Sequence, residues 1–524
     1  MKRNTRAFVS LAVAGALATS IPAALTAAGA GAAVTPSSAT AGQSGSGTVP
    51  QITVTTNSLT YDNTSKAPTQ AAVLAAAGVT ATCGQPVIAD FRAINFHVTG
   101  YYTATVTDTC DGSAAAPQTI TIAVVHPVPA GTYTPLPLGD PNLTETRTTM
   151  TLAKGVTLTH IVRGTTPANP NDINTTLEGP WIVNVVTINP KQAKGHLEIV
   201  RGQYLTDRET VGQFVAQAHG LTGINASFFD IDDNYGVPVG LTIDNGKLVG
   251  NPDGEQDANG VPTGLFTGPV VDSRTNKLVL NGTYSWSGTV ENVKTGQSLA
   301  LTEIDKDTFV PSACASMIDQ TQCTVAGDLV HFDPVWGAET PTGYGVEVVL
   351  DKQGDVVATK TTRGVALKPG QTSIQATGSD AAALLNLVKG GGRLKTTLKL
   401  FNNGVQVDLT PGMQAATGSE ILVSDGVNQN PEPDGDTGGS RNPETSIATT
   451  KNGDIILFTV EGRATTSVGV NFPEESAALM DLEAYNAEGL DGGGSTQLVA
   501  DGQYVTTSSD GTERPDGDAL VWVP

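Results

Sequence analysis

Basic residues are scarce in this chain: 29 Lys and Arg against 51 Asp and Glu leave a formal charge of −22. Non-specific nucleic-acid binding needs a Lys/Arg surface that displaces phosphate counterions, so the balance argues against that class of partner. Extracellular solubility alone accounts for the acidity. An anionic substrate must then be held by a few local Arg groups and backbone amides. Beyond the N-terminus no stretch approaches the ~18 consecutive apolar residues of a spanning helix, and neither a C-terminal sorting signal nor a lipid-attachment Cys is present. Membrane insertion is not expected. Histidine is rare, and His160, His196, His219 and His331 show no H-E-x-x-H spacing. With no G-x-S-x-G elbow either, zinc-protease and α/β-hydrolase chemistry have little support. The 4 cysteines fall into two local pairs, Cys83 with Cys110 and Cys314 with Cys323, without C-x-x-C or His partners at ligand spacing. Both pairs read as structural disulfides rather than a metal site.

Lys2, Arg3 and Arg6 precede an apolar run from Ala7 to Ala24 and a small-residue stretch with several A-x-A sites. This order predicts a secretory signal peptide over 1–32, cleaved near Ala30 or Ala32. The competing membrane anchor is opposed by Ser20, Pro22 and the lack of a charged stop-transfer flank. Residues 33–49 are small and polar and predict a linker. From Ile52 the pattern becomes period two, as in Tyr102, Ala104 and Val106 and then Ile120, Ile122 and Val124, which predicts a small β-sandwich over 50–126. Gly100 to Asp108 resembles the penultimate strand of bacterial immunoglobulin-like modules. Five prolines between Pro127 and Pro141 predict a second linker over 127–142.

The remainder, 143–524, is expected to be one β-rich mixed α/β catalytic domain, so the predicted fold class is α+β. Trp181 to Ile188 reads as a buried strand. Thr206 with Glu209 reads as a capping box that opens a helix ending at Gly220, followed by a strand into Asn225-Ala226-Ser227-Phe228-Phe229-Asp230. A second helix is expected from Pro473, burying Leu479, Leu482 and Tyr485 and stopping at Gly489. It is followed by Leu490-Asp491-Gly492-Gly493-Gly494-Ser495-Thr496. Three glycines let backbone amides turn inward toward an anion, with Ser495 and Thr496 adding hydroxyl donors. The competing reading is a simple tight turn.

Taken together with Gly240-Leu241-Thr242-Ile243, Gly345 to Val348, Glu461-Gly462-Arg463, Ser467-Val468-Gly469 and Glu513-Arg514-Pro515, these segments occur in the order and approximate spacing of the phosphodiester glycosidase domain. The chain resembles that family over Leu143 to Pro524, most specifically in the Asp491 to Thr496 loop. It departs at Pro443-Glu444-Thr445, where the family has Pro-Arg-Thr, and at Ala226-Ser227, where it has Gly-Gly. Arg441, three residues earlier, is a candidate replacement for the missing cation; the alternatives are altered substrate preference or lost activity.

The resemblance implies cleavage of the glycosidic bond of a sugar-1-phosphodiester. Displacement at the anomeric carbon passes through an oxocarbenium-like state, so a carboxylate must stabilise positive charge and attack or activate water, while the departing phosphate needs charge neutralisation. On this reading Asp491 is the carboxylate, and Asn225 and Ser495 orient substrate. The amides of Gly492, Gly493, Gly494, Ser495 and Thr496, with Arg463 and Arg514, hold phosphate. Glu347 is a lower-ranked second carboxylate; a solvated strand position is the simpler reading of it. Each Arg reads equally as a structural ion pair. Phe228 and Asp230 are further substrate-contact candidates, although Phe228 or Phe229 can equally be core. Asp230, Asp232 and Asn234 resemble the start of a calcium loop, but glycine falls one place late at Gly236 and Leu241 stands where Glu is needed. The acidic Asp434-Gly435-Asp436 stretch reads as solvated, and no cofactor or metal is expected. The expected partner is a phosphodiester-linked carbohydrate, with cell-wall glycan contact, and the expected location is extracellular. Rival readings are a non-catalytic carbohydrate-binding or adhesive protein on this fold, and a phosphodiesterase that attacks phosphorus.

Overall fold

A computed structural model of the chain describes residues 50–110, 112–231, 235–252, 267–431 and 440–524. The signal-peptide and linker readings over 1–49, Asp232 and Asn234 of the calcium-like turn, and Asp434-Gly435-Asp436 lie outside the described residues.

Trp181–Ile188 is a strand buried at six of its eight positions, and such two-sided burial requires cover on both faces. It is the middle of a twelve-stranded sheet. One side of it carries, in order outward, Ile455–Val460, Glu444–Thr450, Ala484–Gly489, Ile421–Ser424 and Val427–Asn428. The other carries Val156–Arg163, Glu145–Ala153, Gln118–Val128, Gly100–Thr107 and Val87–Ile88, with Ser58–Asp62 added parallel to Gln118–Val128. An antiparallel five-stranded sheet packs against one face, in the order His196–Arg201, Asp518–Val523, Thr222–Asn225, Leu498–Ala500 and Gln503–Tyr504. Val186, Ile188 and Leu457 of the first sheet meet Ile199, Ile224 and Trp522 of the second in one buried cluster. Each such side chain stabilises the fold by about 1.5–3 kcal/mol before the entropy of ordering it. The opposite face is covered by helix Phe472–Asp481, through Ala478 and Leu479. A further five-stranded sheet, which contains Gly343–Leu350, carries helix Gly378–Lys389 on Ala381, Leu384 and Leu387.

The expected α+β organisation, a small sandwich followed by a mixed α/β domain, is overturned. Strand outweighs helix 41% to 11%, so the protein is mostly β, with many sheets. Gln118–Val128 pairs with Gly100–Thr107 along most of its length, and through His126, Pro127 and Val128 it also pairs with Glu145–Ala153. One sheet is therefore continuous from the N-terminal strands into the rest of the chain. Period-two patterning tells which face of a strand is buried but carries no information about which strand its edges will bond.

Two helix boundaries also differ from expectation. The capping box forms at Thr210 with Gln213, opening helix Val211–Gln217, instead of at Thr206. Glu209 is unavailable to Thr206 because it exchanges both backbone hydrogen bonds with Asp516. The later helix starts at Asn471, with its own capping box to Glu474, and ends at Asp481. Glu483, at φ 67°, turns the chain out of the helix, and Tyr485 lies on the strand Ala484–Gly489. Both cysteine pairs are bonded as expected, Cys83 to Cys110 and Cys314 to Cys323.

Candidate active site

Strands Thr222–Asn225, Glu444–Thr450, Ala484–Gly489 and Leu498–Ala500 deliver their ends to one place between the two large sheets. The Asp491 to Thr496 loop is tied there by its backbone. Leu490 N–H donates to the Thr445 carbonyl at 2.8 Å, Asp491 N–H to Ala226 at 3.0 Å, and Gly493 N–H to Pro443 at 2.8 Å. Asn225, fully buried, locks the arrangement with its side chain. Its Nδ2 donates to the Asp491 carbonyl at 2.6 Å, and its Oδ1 accepts from Thr445 Oγ1 at 2.9 Å and from Gln497 N–H at 3.1 Å. These bonds make the Asn225 side chain a positioning group for the loop.

Each glycine of the loop lies against a different ionisable side chain. A Cβ on Gly492 would overlap Glu444 Oε2, and one on Gly494 would overlap both Arg514 Nη2 and the Asp510 carboxylate. Gly493, at φ 63°, lies under the Arg463 guanidinium, whose Nη2 is 3.0 Å from where a Cβ would stand. Arg463 is exposed and donates through Nε and Nη2 to Asn442 Oδ1 at 3.1 and 3.0 Å. Arg514 donates through Nε and Nη2 to Asp510 Oδ2 at 2.9 and 2.7 Å, and through Nη1 to Ser495 Oγ at 3.2 Å. Ser495, fully buried, therefore sets its hydroxyl between Arg514 and the carboxyls of Asp491 and Asp516, opposing the rise that burial imposes on both.

Burial pushes the Asp491 carboxyl up to about 7, against the opposing pull of Ser495 and the Arg514 charge. A carboxyl in that range exchanges protons at neutral pH, as a general base or acid must. Burial, followed by the nearby Glu475 and Asp491, holds Glu444 well above the usual carboxylate range, with Arg463 opposing. Asp516 is raised by burial and then by Asp491. A cleft of about 500 Å³ lined by Thr210, Gln497, Tyr504, Thr506, Ser508 and Glu513 adjoins this cluster through Gln497, which donates to Asp516 Oδ2 at 3.0 Å and to the Arg514 carbonyl at 2.8 Å.

The other expected site residues divide. Thr496 is buried at the loop's end, its hydroxyl without a hydrogen-bond partner among the described residues. Phe228 is half-buried, whereas Phe229 is core, with the Arg208 guanidinium 4.9 Å above its ring. Asp230 is half-buried beside its backbone bond to Val237. Glu347 is not brought to the loop. Fully buried on Gly343–Leu350, it accepts from Thr340 Oγ1 at 2.8 Å, Ser373 Oγ at 2.7 Å and Gly364 N–H at 2.7 Å, which satisfies both oxygens within another sheet. Arg441 makes its contacts elsewhere. It holds Glu474 bidentately, with Nη2 at 2.6 Å and Nε at 2.9 Å, donates through Nη1 to the Ile173 and Thr176 carbonyls, and stacks 5.3 Å from the Trp181 ring. The Ser227 departure has a local explanation: its N–H and hydroxyl both bond the buried Asp518 carboxylate, at 2.7 and 2.8 Å. Sequence reasoning passed over Asp510 and Asp516. The i, i+4 spacing of Asp510 and Arg514 was a usable signal; nothing local marks Asp516.

A loop that sets a neutral-range carboxyl beside guanidinium groups combines a group able to exchange a proton with groups able to hold an anion. Comparison with known proteins points the same way. Residues 344–523, which include the Asp491 loop, Glu444, Arg463 and Arg514 but not Asn225, match the family model for phosphodiester glycosidase. The SPbeta prophage-derived protein YomE of Bacillus subtilis is 34% identical over 81 residues, a match that takes in 16% of this chain and 13% of that relative's length. A Burkholderia pseudomallei protein described as exported shares the fold, with a TM-score of 0.62 and 23% identity over 76% of this chain and 99% of its own. A hypothetical protein from Synechocystis follows, with a TM-score of 0.52 and 17% identity over 82% of this chain and 75% of its own.

Proposed function

We propose that this chain is an extracellular hydrolase that cleaves the glycosidic bond of a sugar-1-phosphodiester, with Asp491 as the carboxylate acting at the anomeric carbon. The observation that carries the reading is the Asp491 to Thr496 loop itself. A carboxyl raised to about 7 stands at its start, and the Arg463 guanidinium lies over Gly493, within a region that matches the phosphodiester glycosidase model. Arg463, whose side-chain hydrogen bonds among the described residues both go to one amide oxygen, retains donors for a phosphate oxygen. Arg514 supports the same end through Ser495. Asn225 acts at one remove, holding the Asp491 carbonyl. Export is supported by the N-terminal signal-like sequence and the two disulfides.

The departing phosphate monoester is already a stable anion, so the site's main tasks are charge neutralisation and stabilisation of the oxocarbenium-like state. Hydrolysis of sugar-1-phosphate alkyl diesters in oxygen-18 water tests this. Label on the sugar, with turnover reduced at least about a hundredfold in Asp491→Asn, is expected. Label on phosphate makes the protein a phosphodiesterase, and ligand binding without product makes it a carbohydrate-binding protein.

A further inference from the structure

Among the buried carboxyls of the described residues, most are held by hydrogen bonds. Glu145 accepts from Leu136 N–H, Glu475 from Ser446, Glu488 from Thr267 and Asp518 from Ser227. Glu444 is about nine-tenths buried, and no hydrogen bond or close ion pair to its carboxyl is found among the described residues. Its oxygens are not sealed from solvent, unlike the unpartnered oxygens of buried Asp108, so the carboxyl is placed to meet something outside the core.

Its position says what that is. Glu444 opens the strand Glu444–Thr450, and its Oε2 occupies the space that a Cβ on the half-exposed Gly492 would fill, one residue beyond Asp491. The ionisable groups around it come from three directions: Asp491 on the loop, Glu475 on helix Phe472–Asp481, and Arg463 after the strand Ile455–Val460. Two carboxyls face one opposing guanidinium, which disfavours a negative charge on Glu444. Two neighbouring carboxyls whose environments separate them in this way divide into an acid and a base.

We propose that Glu444 is a second catalytic carboxyl, the general acid that protonates the leaving oxygen, and that the substrate class therefore extends to glycosides of alcohols. The inference rests on the glycosidase reading of this same site. As the bond from the anomeric carbon to the leaving oxygen breaks, its electron pair goes to that oxygen, which takes the Glu444 proton. Water adds its oxygen to the anomeric carbon and gives a proton to Asp491. Transfer of that proton from Asp491 to Glu444 through solvent restores both groups. A phosphate leaves without such help, whereas an alkoxide does not, so the acid matters in proportion to the basicity of the leaving group.

The experiment uses the full chain and its Glu444→Gln and Asp491→Asn variants. They are assayed on matched 4-nitrophenyl glycosides, methyl glycosides and glycosyl methyl phosphodiesters of common hexoses and N-acetylhexosamines in both anomers. The expected result is turnover of all three classes by the wild type, with a loss in Glu444→Gln that rises to at least about a hundredfold on the methyl glycoside and is under about tenfold on the nitrophenyl glycoside. The ratio between substrates is measured on one preparation, so partial misfolding of the variant cancels. An equal loss on every leaving group, no loss at all, or no wild-type turnover of methyl glycosides overturns the role of Glu444. If Asp491→Asn still abolishes phosphodiester cleavage in those cases, the glycosidase reading stands alone. Wild-type inactivity on every substrate removes both.

Discussion

Gly492, Gly493 and Gly494 do not share one purpose. The first makes room for Glu444 Oε2, the second supplies a φ of 63° under Arg463, and the third lets Arg514 and Asp510 close over the backbone. Only the second is a conformational demand of the kind that glycine alone meets cheaply. At Gly494 the obstructing atoms are the far ends of two flexible side chains. Gly494→Ala is therefore expected to push the Arg514–Asp510 pair aside, raising KM for a phosphodiester about tenfold while changing stability by less than about 1 kcal/mol. Steady-state kinetics and a thermal melt on the same sample check both halves. Arg441 and Arg463 differ in the same measurable way. Arg441→Ala breaks a bidentate hold on Glu474 and leaves backbone carbonyls unpaired, so it is expected to lower stability by about 2–4 kcal/mol with KM unchanged. Arg463→Ala is expected to raise KM at least about tenfold with the melt unchanged, because the exposed guanidinium holds little but Asn442.

At the level of elements, the loop is rigid because strand ends from both sheets grip it. Asn225 ends one strand, Thr445 lies at the start of another, and Gln497 precedes a third; a single amide side chain joins all three to the Asp491 carbonyl. Asn225→Ala leaves an N–H, a hydroxyl and a carbonyl without their partner in a buried setting. Urea unfolding is expected to show a loss of about 2–4 kcal/mol, with activity falling because the Asp491 loop is no longer held. Asn225→Asp is expected to be worse than an ordinary isosteric change, since the new carboxylate would lose the donor to the Asp491 carbonyl and join Asp491, Asp516 and Asp518 in the same buried region.

For the whole molecule, buried acids dominate the response to pH. Burial raises Glu475 to about 8 and Glu488 and Asp491 to about 7. In the unfolded chain these groups titrate near about 4. As pH rises from about 4 to about 8 the unfolded chain gives up these protons while the folded one retains them, so stability is progressively lost across that window. His331 acts oppositely: burial lowers it to about 4, so below about 6.5 the unfolded chain takes up a proton that the folded one refuses. The carboxyls outnumber the histidine, and acidification also reduces the self-repulsion of a chain at −22. The melting temperature is therefore expected to be highest near about pH 4 to 5 and to fall by roughly 5 °C or more by pH 8. A flat profile from pH 5 to 8 would count against the buried acids being protonated.

What the amino-acid sequence determined by itself was local. The cysteine pairs, the buried strand from Trp181 and the glycine loop after Asp491 were all legible from local stretches of residues. The tertiary structure decided which strand edges join, so that one sheet runs through an expected domain boundary at Gln118–Val128. It also decided that Glu347 is satisfied elsewhere, that Arg441 belongs to Glu474, and that Glu444 lies beside Gly492. These outcomes turn on side chains meeting across long separations, 266 residues in the bond from Asn225 to Asp491. Periodicity specifies the buried face of each segment, but the hydrogen bonds and charges that meet there are set only when the faces pack.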